Sequence, residues 1–490
     1  MASTSDHQSP AICVESPTNS TYHAKKDHIT LDTKPDQTVE SCSILFMFIL
    51  CAPKMAMNMA WAAQWAALGP LLETLLSPSA VQAVQLVGPT TGLLIAPTIG
   101  VLSDACTSRW GRRRPFLFWG AVTSALCWGV MMNATAIGAA LGDGGGDRTW
   151  TTVVVVMCYI WMDITVNITQ VPAGLIIADF AGHRQVTAAS IGAGYSIAGS
   201  FAVSGYILVF GPAHQSIHLF LGMLIGIMLT TTLSVCWFVH ETPLVESDDS
   251  IIVRPPKYHK IRPSLQAVWT GFRKLPKTLA VYCAIMLLVQ YGFTAYNGAK
   301  GQFFGLVVYR GVAKDADTCG KPNTLPCTPR QIAFNDGVRL AGGLTDTIFN
   351  AVGLVFLAAL PFLVRKVGAK WVITASIIPQ AMLVVMVFCH VVPVDVMLVV
   401  GCTVTQNTIF ALVMPMIIHV VGHGSDNNLG LFAGAFNSAN CCGQFLNFIF
   451  SAILVKSAMG HALPILVGGI LSTGAFLVAL FALKVDLRSM

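Results

Sequence analysis

Charged residues are scarce. Asp, Glu, Lys and Arg make up 11% of the 490 residues, against about 25% in an ordinary soluble domain. Hydrophobic residues reach 54%, so the composition excludes a soluble globular protein and describes a chain that crosses a membrane many times. Residues 1–42 contain no apolar run with a small-residue cleavage site behind it, so no cleavable leader is expected. No C-x-x-C pair occurs, and the adjacent Cys441 and Cys442 are poorly placed to share a zinc ion, so no metal site is expected. The motifs H-E-x-x-H and G-x-S-x-G are absent, as is any phosphate-cradling loop. Neither an enzyme nor a cofactor is therefore expected. The net charge of +6 reports topology rather than affinity for nucleic acid.

Apolar runs long enough to span a bilayer lie near 43–69, 80–103, 115–138, 150–180, 186–210 and 216–240. Six more lie near 278–304, 333–364, 371–392, 394–421, 429–455 and 461–484. The chain divides into a disordered tail (1–42), a first six-helix half (43–240), a linker (241–277) and a second six-helix half (278–490). With both termini in the cytoplasm, twenty Lys and Arg fall on that side, six fall outside and three lie within spans. This bias sets the expected orientation. Cys319 and Cys327 occupy a polar loop on the outer side, where a disulfide is expected to be stable.

The densest charge lies between the second and third spans, in G-V-L-S-D-A-C-T-S-R-W-G-R-R-R-P from Gly100 to Pro115. Arg109, Arg112, Arg113 and Arg114 surround Gly111 and mark a membrane face. Gly100 and Asp104 are one turn apart, so a neighbouring helix is expected to approach at Gly100 while Asp104 pairs with the arginines. That pairing is expected in an outward-facing state and to break in each cycle. The plainer reading is a topological anchor.

Polar residues recur on single faces of the spans. The first carries Lys54, Asn58 and Trp61, and the fourth Asp163, Asn167, Gln170 and Gly174. The seventh offers Gln290, Thr294 and Asn297 with Lys300 to one side, and the eighth Asp336, Arg339, Asp346 and Asn350. The eleventh carries Asn437, Asn440, Gln444 and Asn447. Amides of this kind can simply hydrogen-bond between helices, for about 0.6 kcal/mol each. An aspartate at mid-span, like Asp163, costs about 2.5–3.5 kcal/mol unless neutralised, which favours a functional reading.

These stretches resemble the major facilitator superfamily, and within it sucrose transporters of the glycoside-pentoside-hexuronide group and similar animal solute carriers. The arginine loop is similar to the family loop between helices 2 and 3. A-W-A-A-Q (Ala60–Gln64) resembles the family G-W-A-L-Q, and Met162–Asp179 resembles the fourth-span motif through Asp163, Asn167, Gln170, Pro172, Ala178 and Asp179. N-D-G-V-R (Asn335–Arg339), Asn350, Asn437 and Gln444 also fit. The chain departs from the family where its fourth-span arginine falls on Gly174. It departs again where an acidic D-T-D falls on Lys300-Gly301-Gln302. Lys54 or Lys300 is then a candidate for the missing cation.

The resemblance implies an all-α membrane protein of twelve transmembrane helices in two six-helix halves. It implies a proton-coupled secondary carrier of a sugar or glycoside, sucrose-like, functional as a monomer, in the plasma membrane or a vacuolar or other endomembrane. Its partners are the sugar, protons and the bilayer. Asp163 and Arg339 are the expected proton-coupling pair. Asn58, Trp61, Gln64, Asn167, Gln170, Asp336, Asn437 and Gln444 are the expected substrate contacts. A sugar sensor that has lost transport, or a carrier of another small polar solute, is the alternative.

Overall fold

Prolines and caps set where several helices begin, because the first helical turn needs no donor from proline. Pro78, Pro115, Pro329 and Pro393 all occupy such first-turn positions. At Thr328 the side chain accepts from the Gln331 amide, and the Gln331 side chain accepts in return from the Thr328 amide, a closed capping box. The computed structural model describes residues 43–104, 106–144, 148–181, 184–241, 273–320, 326–389, 391–422 and 429–487. The expected tail 1–42 and most of the expected linker 241–277 lie outside the described residues.

Among the described residues, twelve long helices follow. The first six are α1 (Ile44–Leu75), α2 (Pro78–Asp104), α3 (Arg114–Met132), α4 (Thr149–Ala181), α5 (Gln185–Phe210) and α6 (Ile217–Phe238). The second six are α7 (Lys277–Asn297), α8 (Pro329–Val367), α9 (Ala369–Cys389), α10 (Val392–Val421), α11 (Leu429–Leu454) and α12 (Ala462–Phe481). Eleven are long and apolar enough to cross a membrane. The twelfth, α11, has the length but is diluted by Asn437, Asn440, Gln444 and Asn447.

Helices alternate between two faces, called here the arginine-loop face (residues 106–113) and the disulfide face, where Cys319 and Cys327 are bonded. Helix α8 begins at Pro329, ahead of the expected 333. Its 39 residues would reach roughly 58 Å at 1.5 Å per residue, about twice the hydrocarbon thickness.

Each half packs its own core. Met59, Trp128, Tyr159 and Phe220 bury together in the first half, and Met47, Leu117, Ile176 and Val235 form a second cluster there. Tyr282, Ile373, Met416 and Phe436 do the same in the second half, beside a cluster of Phe303, Phe304, Val399 and Ile465. Lipid offers little hydrophobic drive between helices, so close backbone approach holds them instead. At Gly199 on α5, an added Cβ would lie 2.2 Å from the Met55 carbonyl oxygen and 2.9 Å from the Met59 nitrogen. Gly199→Leu is therefore expected to pry α5 from α1 and cost roughly 1–3 kcal/mol. The check is thermal unfolding in detergent, with Gly222→Leu, which faces open space, expected to unfold like the parent.

Candidate substrate site

A cavity of about 420 Å³ lies between the halves, within the roughly 300–1,000 Å³ range of small-molecule sites. The helical repeat brings Asn58, Trp61 and Trp65 of α1 to one wall, with Asn167 and Gln170 of α4 beside them. The facing wall has Gln290, Thr294 and Asn297 of α7, and Asn437, Asn440 and Gln444 of α11. Lys300, Asp346 and Asn350 complete that side.

The wall is already organised by hydrogen bonds. Trp61 Nε1 donates to Gln170 Oε1 at 2.6 Å. Asn58 Nδ2 donates to the Ser196 carbonyl and to Ser200 Oγ, both at 2.6 Å. Asn167 Nδ2 donates to Thr91 Oγ1 at 3.0 Å. Opposite, Gln290 donates to Gln406 (2.9 Å), Gln406 to Gln380 (2.8 Å) and Gln380 to Ser472 (2.9 Å), an amide chain reaching from the cavity into the helix packing. Neither amide belongs to a helical-face stripe that the sequence shows: Gln380 stands alone on its span, and Gln406 has only Asn407 beside it.

Of the expected substrate contacts, Asn58, Trp61, Asn167, Gln170, Asn437 and Gln444 line the cavity. Gln64 lies one layer behind, fully buried, donating to Tyr159 OH (2.7 Å) and to Asp163 Oδ2 (3.2 Å). Asp163 is itself fully buried, and its Oδ1 has no described partner. Only Gly88 separates it from the cavity: an added Cβ there would stand 3.7 Å from the Asp163 carboxylate.

Two expectations are corrected. Arg339 and Asp336 are exposed and outside the cavity lining. Arg339 Nη2 donates to the Leu208 carbonyl at 2.7 Å, tying α8 to the end of α5. The early start of α8 puts these residues nearer the disulfide face than a start at 333 would. The cation in the cavity is Lys300, whose Nζ meets Asp346 Oδ2 at 2.5 Å. The first-span cation lies apart from the cavity lining: Lys54 Nζ is 3.9 Å from where a Cβ on Gly174 would lie.

The arginine loop is corrected in its partners. Arg113 reaches Asp104 (2.5 Å), Asp179 (3.3 Å) and Ser103 (2.6 Å), and Arg112 lies 3.6 Å from Asp179. The backbone amides of Arg113 and Arg114 donate to Glu241 at 2.9 and 3.1 Å, and Arg114 also donates to the Cys236 carbonyl. Gly111 has φ +102°, and a Cβ there would meet Glu241 Oε2 at 2.3 Å. All these partners belong to the first half, so the cluster fastens the ends of α2, α3, α4 and α6 to one another. Arg109 is exposed. Gly100 has only an ordinary contact, 3.8 Å to Val171, so no helix approaches closely there.

Contacts between the halves lie on the other side. Gln85 Nε2 donates to the Gly298 carbonyl (3.0 Å), His461 Nε2 lies 3.3 Å from Glu73, Arg148 pairs with Asp317 (2.7 Å) and His214 meets Asn335 (2.7 Å). Trp65 stacks on Phe448 with centroids 5.8 Å apart. Among the described residues, no hydrogen bond or ion pair joins the halves on the arginine-loop side. The conformation is closed toward the disulfide face, and in it the Asp104–Arg113 pair is formed.

The MFS/sugar transport protein family model matches residues 44–297. The sucrose transport protein SUT1 of Oryza sativa subsp. japonica is 28% identical over 359 residues, covering 66% of this chain and 62% of that protein. The sucrose transport protein SUC3 of Arabidopsis thaliana is 32% identical over 154 residues, covering 30% of this chain and 26% of that one. The matches thus span less than two thirds of these relatives' lengths. Among solved structures, a D-xylose-proton symporter superposes with a TM-score of 0.57 at 16% identity, covering 91% of this chain and 99% of that one. The nucleoside transporter NupG gives 0.52 at 14%, covering 89% and 97%. At these identities the likeness concerns the fold.

The seal on the disulfide face yields a prediction. Gly343 of α8 sits against the α5 backbone, where a Cβ would lie 2.9 Å from the Leu208 nitrogen. Gly343→Leu should hold the halves apart on that side. Cys441 lines the cavity and reports the change: labelling by an impermeant thiol reagent from the disulfide face should rise in the variant. Equal labelling in variant and parent would mean that this contact does not close the cavity.

Proposed function

This chain belongs to the MFS/sugar transport protein family, and we propose that it is a proton-coupled secondary carrier of a neutral sugar or glycoside, a sucrose-like disaccharide foremost. The observation that supports it most directly is the cavity between the halves, where amides on α1, α4, α7 and α11 surround an indole and phenyl rings. Sugars present many hydroxyls and apolar ring faces, which this mixture of neutral hydrogen-bonding groups and aromatics suits. The names of the plant relatives point the same way. A site between two separately packed halves also fits alternating access, in which the halves rock about a fixed site.

Asp163 is the proton carrier in this reading. Its carboxyl is sealed from water in a layer that contacts the cavity across Gly88 and the α1 face through Gln64. A charge there is costly in hydrocarbon, and protonation removes it. Binding of sugar against Trp61 and Gln170 is felt at Asp163 through α1 and α4, which carry both groups. The excess of Lys and Arg on the arginine-loop side supports a cytoplasmic position for that face and for both termini, in the plasma membrane or an endomembrane. Loss of transport in favour of sensing is motivated by the glycine at 174 and by Lys300-Gly301-Gln302 in place of an acidic stretch. Lys54 lies beside that glycine, which weakens the motive for the alternative.

The experiment is uptake of labelled neutral sugars into proteoliposomes with and without an imposed pH gradient. The parent should accumulate sugar only with the gradient. Asp163→Asn should lose that accumulation while still exchanging sugar across the membrane at equilibrium. Gradient-driven accumulation by Asp163→Asn at the parental level would remove Asp163 from the coupling.

A further inference from the structure

Resting on the sugar-carrier reading, we propose that the Lys300–Asp346 pair is the cavity's specificity determinant, a subsite that clasps adjacent hydroxyls of an uncharged sugar and rejects charged ones. Lys300 and Asp346 are the two formally charged residues among those lining the cavity. They neutralise each other at 2.5 Å, with side chains 5% and 17% exposed. The pair uses Asp346 Oδ2 and one ammonium proton. Asp346 Oδ1 makes no described hydrogen bond, and an ammonium has three protons to donate. One carboxylate oxygen accepting from a hydroxyl, beside an ammonium donating to its neighbour, matches a vicinal diol.

The surroundings complete such a subsite. Asn297 ends α7 three residues before Lys300, Asn350 lies one helical turn beyond Asp346 on α8, and both line the cavity. Asn350 Nδ2 is committed to the Asp346 backbone carbonyl at 2.8 Å, which leaves its side-chain oxygen as an acceptor for a hydroxyl. Phe293 and Phe349 stack at 6.0 Å and also line the cavity, an apolar surface for a ring face.

The charge balance gives the selectivity. A uronate would find its cation engaged by Asp346, and an amino sugar would find its carboxylate engaged by Lys300. Each would bring an uncompensated charge into a largely buried site, which costs far more than a hydroxyl does. Removing either partner inverts this logic. Asp346→Asn leaves a free ammonium and should favour an anionic sugar, whereas Lys300→Met leaves a free carboxylate and should favour a cationic one.

The test is competition by glucose, sucrose, glucuronate and glucosamine against a transported labelled sugar in proteoliposomes, read as inhibition constants. The parent should prefer the neutral sugars. Asp346→Asn should shift the ratio of glucuronate to glucose binding by about tenfold or more toward glucuronate, and Lys300→Met should shift glucosamine comparably, since a hydrogen bond to a charged group is worth about that much. The doubly neutral Lys300→Gln/Asp346→Asn variant carries no stranded charge and guards against misfolding of the single variants. It should fold, show neither shift and bind neutral sugars about tenfold more weakly. A parent that transports sugar, with variants that keep its ranking of neutral, anionic and cationic sugars, overturns the subsite alone. A folded parent that takes up no neutral sugar overturns the carrier reading, and the subsite with it.

Discussion

Hydrocarbon satisfies no hydrogen bond, and this fixes what every polar group in the chain can do. A backbone amide must be closed in a helix, and a side-chain amide must find a partner or face a cavity. The twelve helices answer the first demand. The second is answered unevenly, because some amides knit helices together and others are left on the cavity wall. Gln380 is wholly committed, donating to Ser472 and to the Val289 carbonyl. Asn437 is exposed on the cavity side. The difference between structural and recognising amides thus rests on placement, since both kinds recur at helical spacing.

The same constraint separates the halves. Each gathers its apolar residues into its own clusters, and the face between them carries mainly polar groups and close backbone contacts, with the Trp65–Phe448 stack among them. A jointly packed core would resist rocking, because packed interiors are not continuously deformable. The interface instead uses a few replaceable contacts: one amide to a carbonyl at Gln85, an ion pair at Asp317, a His461 contact to Glu73, and glycines at 342 and 343 against α5. The arginine cluster is the reverse. It holds four helix ends of one half with a mostly buried guanidinium at Arg113, and so acts as rigid bracing rather than as a contact made and broken between halves.

Much of this was legible in the residues because membrane spans and helical faces are short-range patterns. The spans, the amide stripes on α1, α4 and α11 and the charge on the arginine loop all follow from periodicity of 3.6 or from runs of apolar residues. Depth was less legible. Arg339 looked like a mid-span cation because the start of α8 was read from hydropathy, whereas the T-P-R-Q box at Thr328–Gln331 marks the true start. Partnerships between distant residues were least legible. Glu241 looked like the first residue of a solvated linker, yet it caps the Arg113 and Arg114 amides. Lys300 and Asp346 were each visible as charges in spans, but no spacing along the chain says that α8 and the short helix after α7 bring them together.

Charge in such a site is set by place in the fold rather than by position in the sequence. Glycine at 174 removes the cation expected on α4, and the ammonium of Lys54 comes within 3.9 Å of where its Cβ would be, with Gly192 also beside the lysine stem. Reaching from α1, Lys54 lies against Gly192 along its stem and against Gly174 at its ammonium. On the opposite wall, Lys300 stands where an acidic stretch was expected, and Asp346 restores neutrality from the next helix. The two halves therefore solve the same electrostatic problem differently. The first keeps a cation near the arginine-loop end of its bundle and a carboxyl, Asp163, sealed behind the wall. The second exposes a closed ion pair to the cavity itself. An uncharged ligand is the one that both arrangements admit without stranding a charge in hydrocarbon.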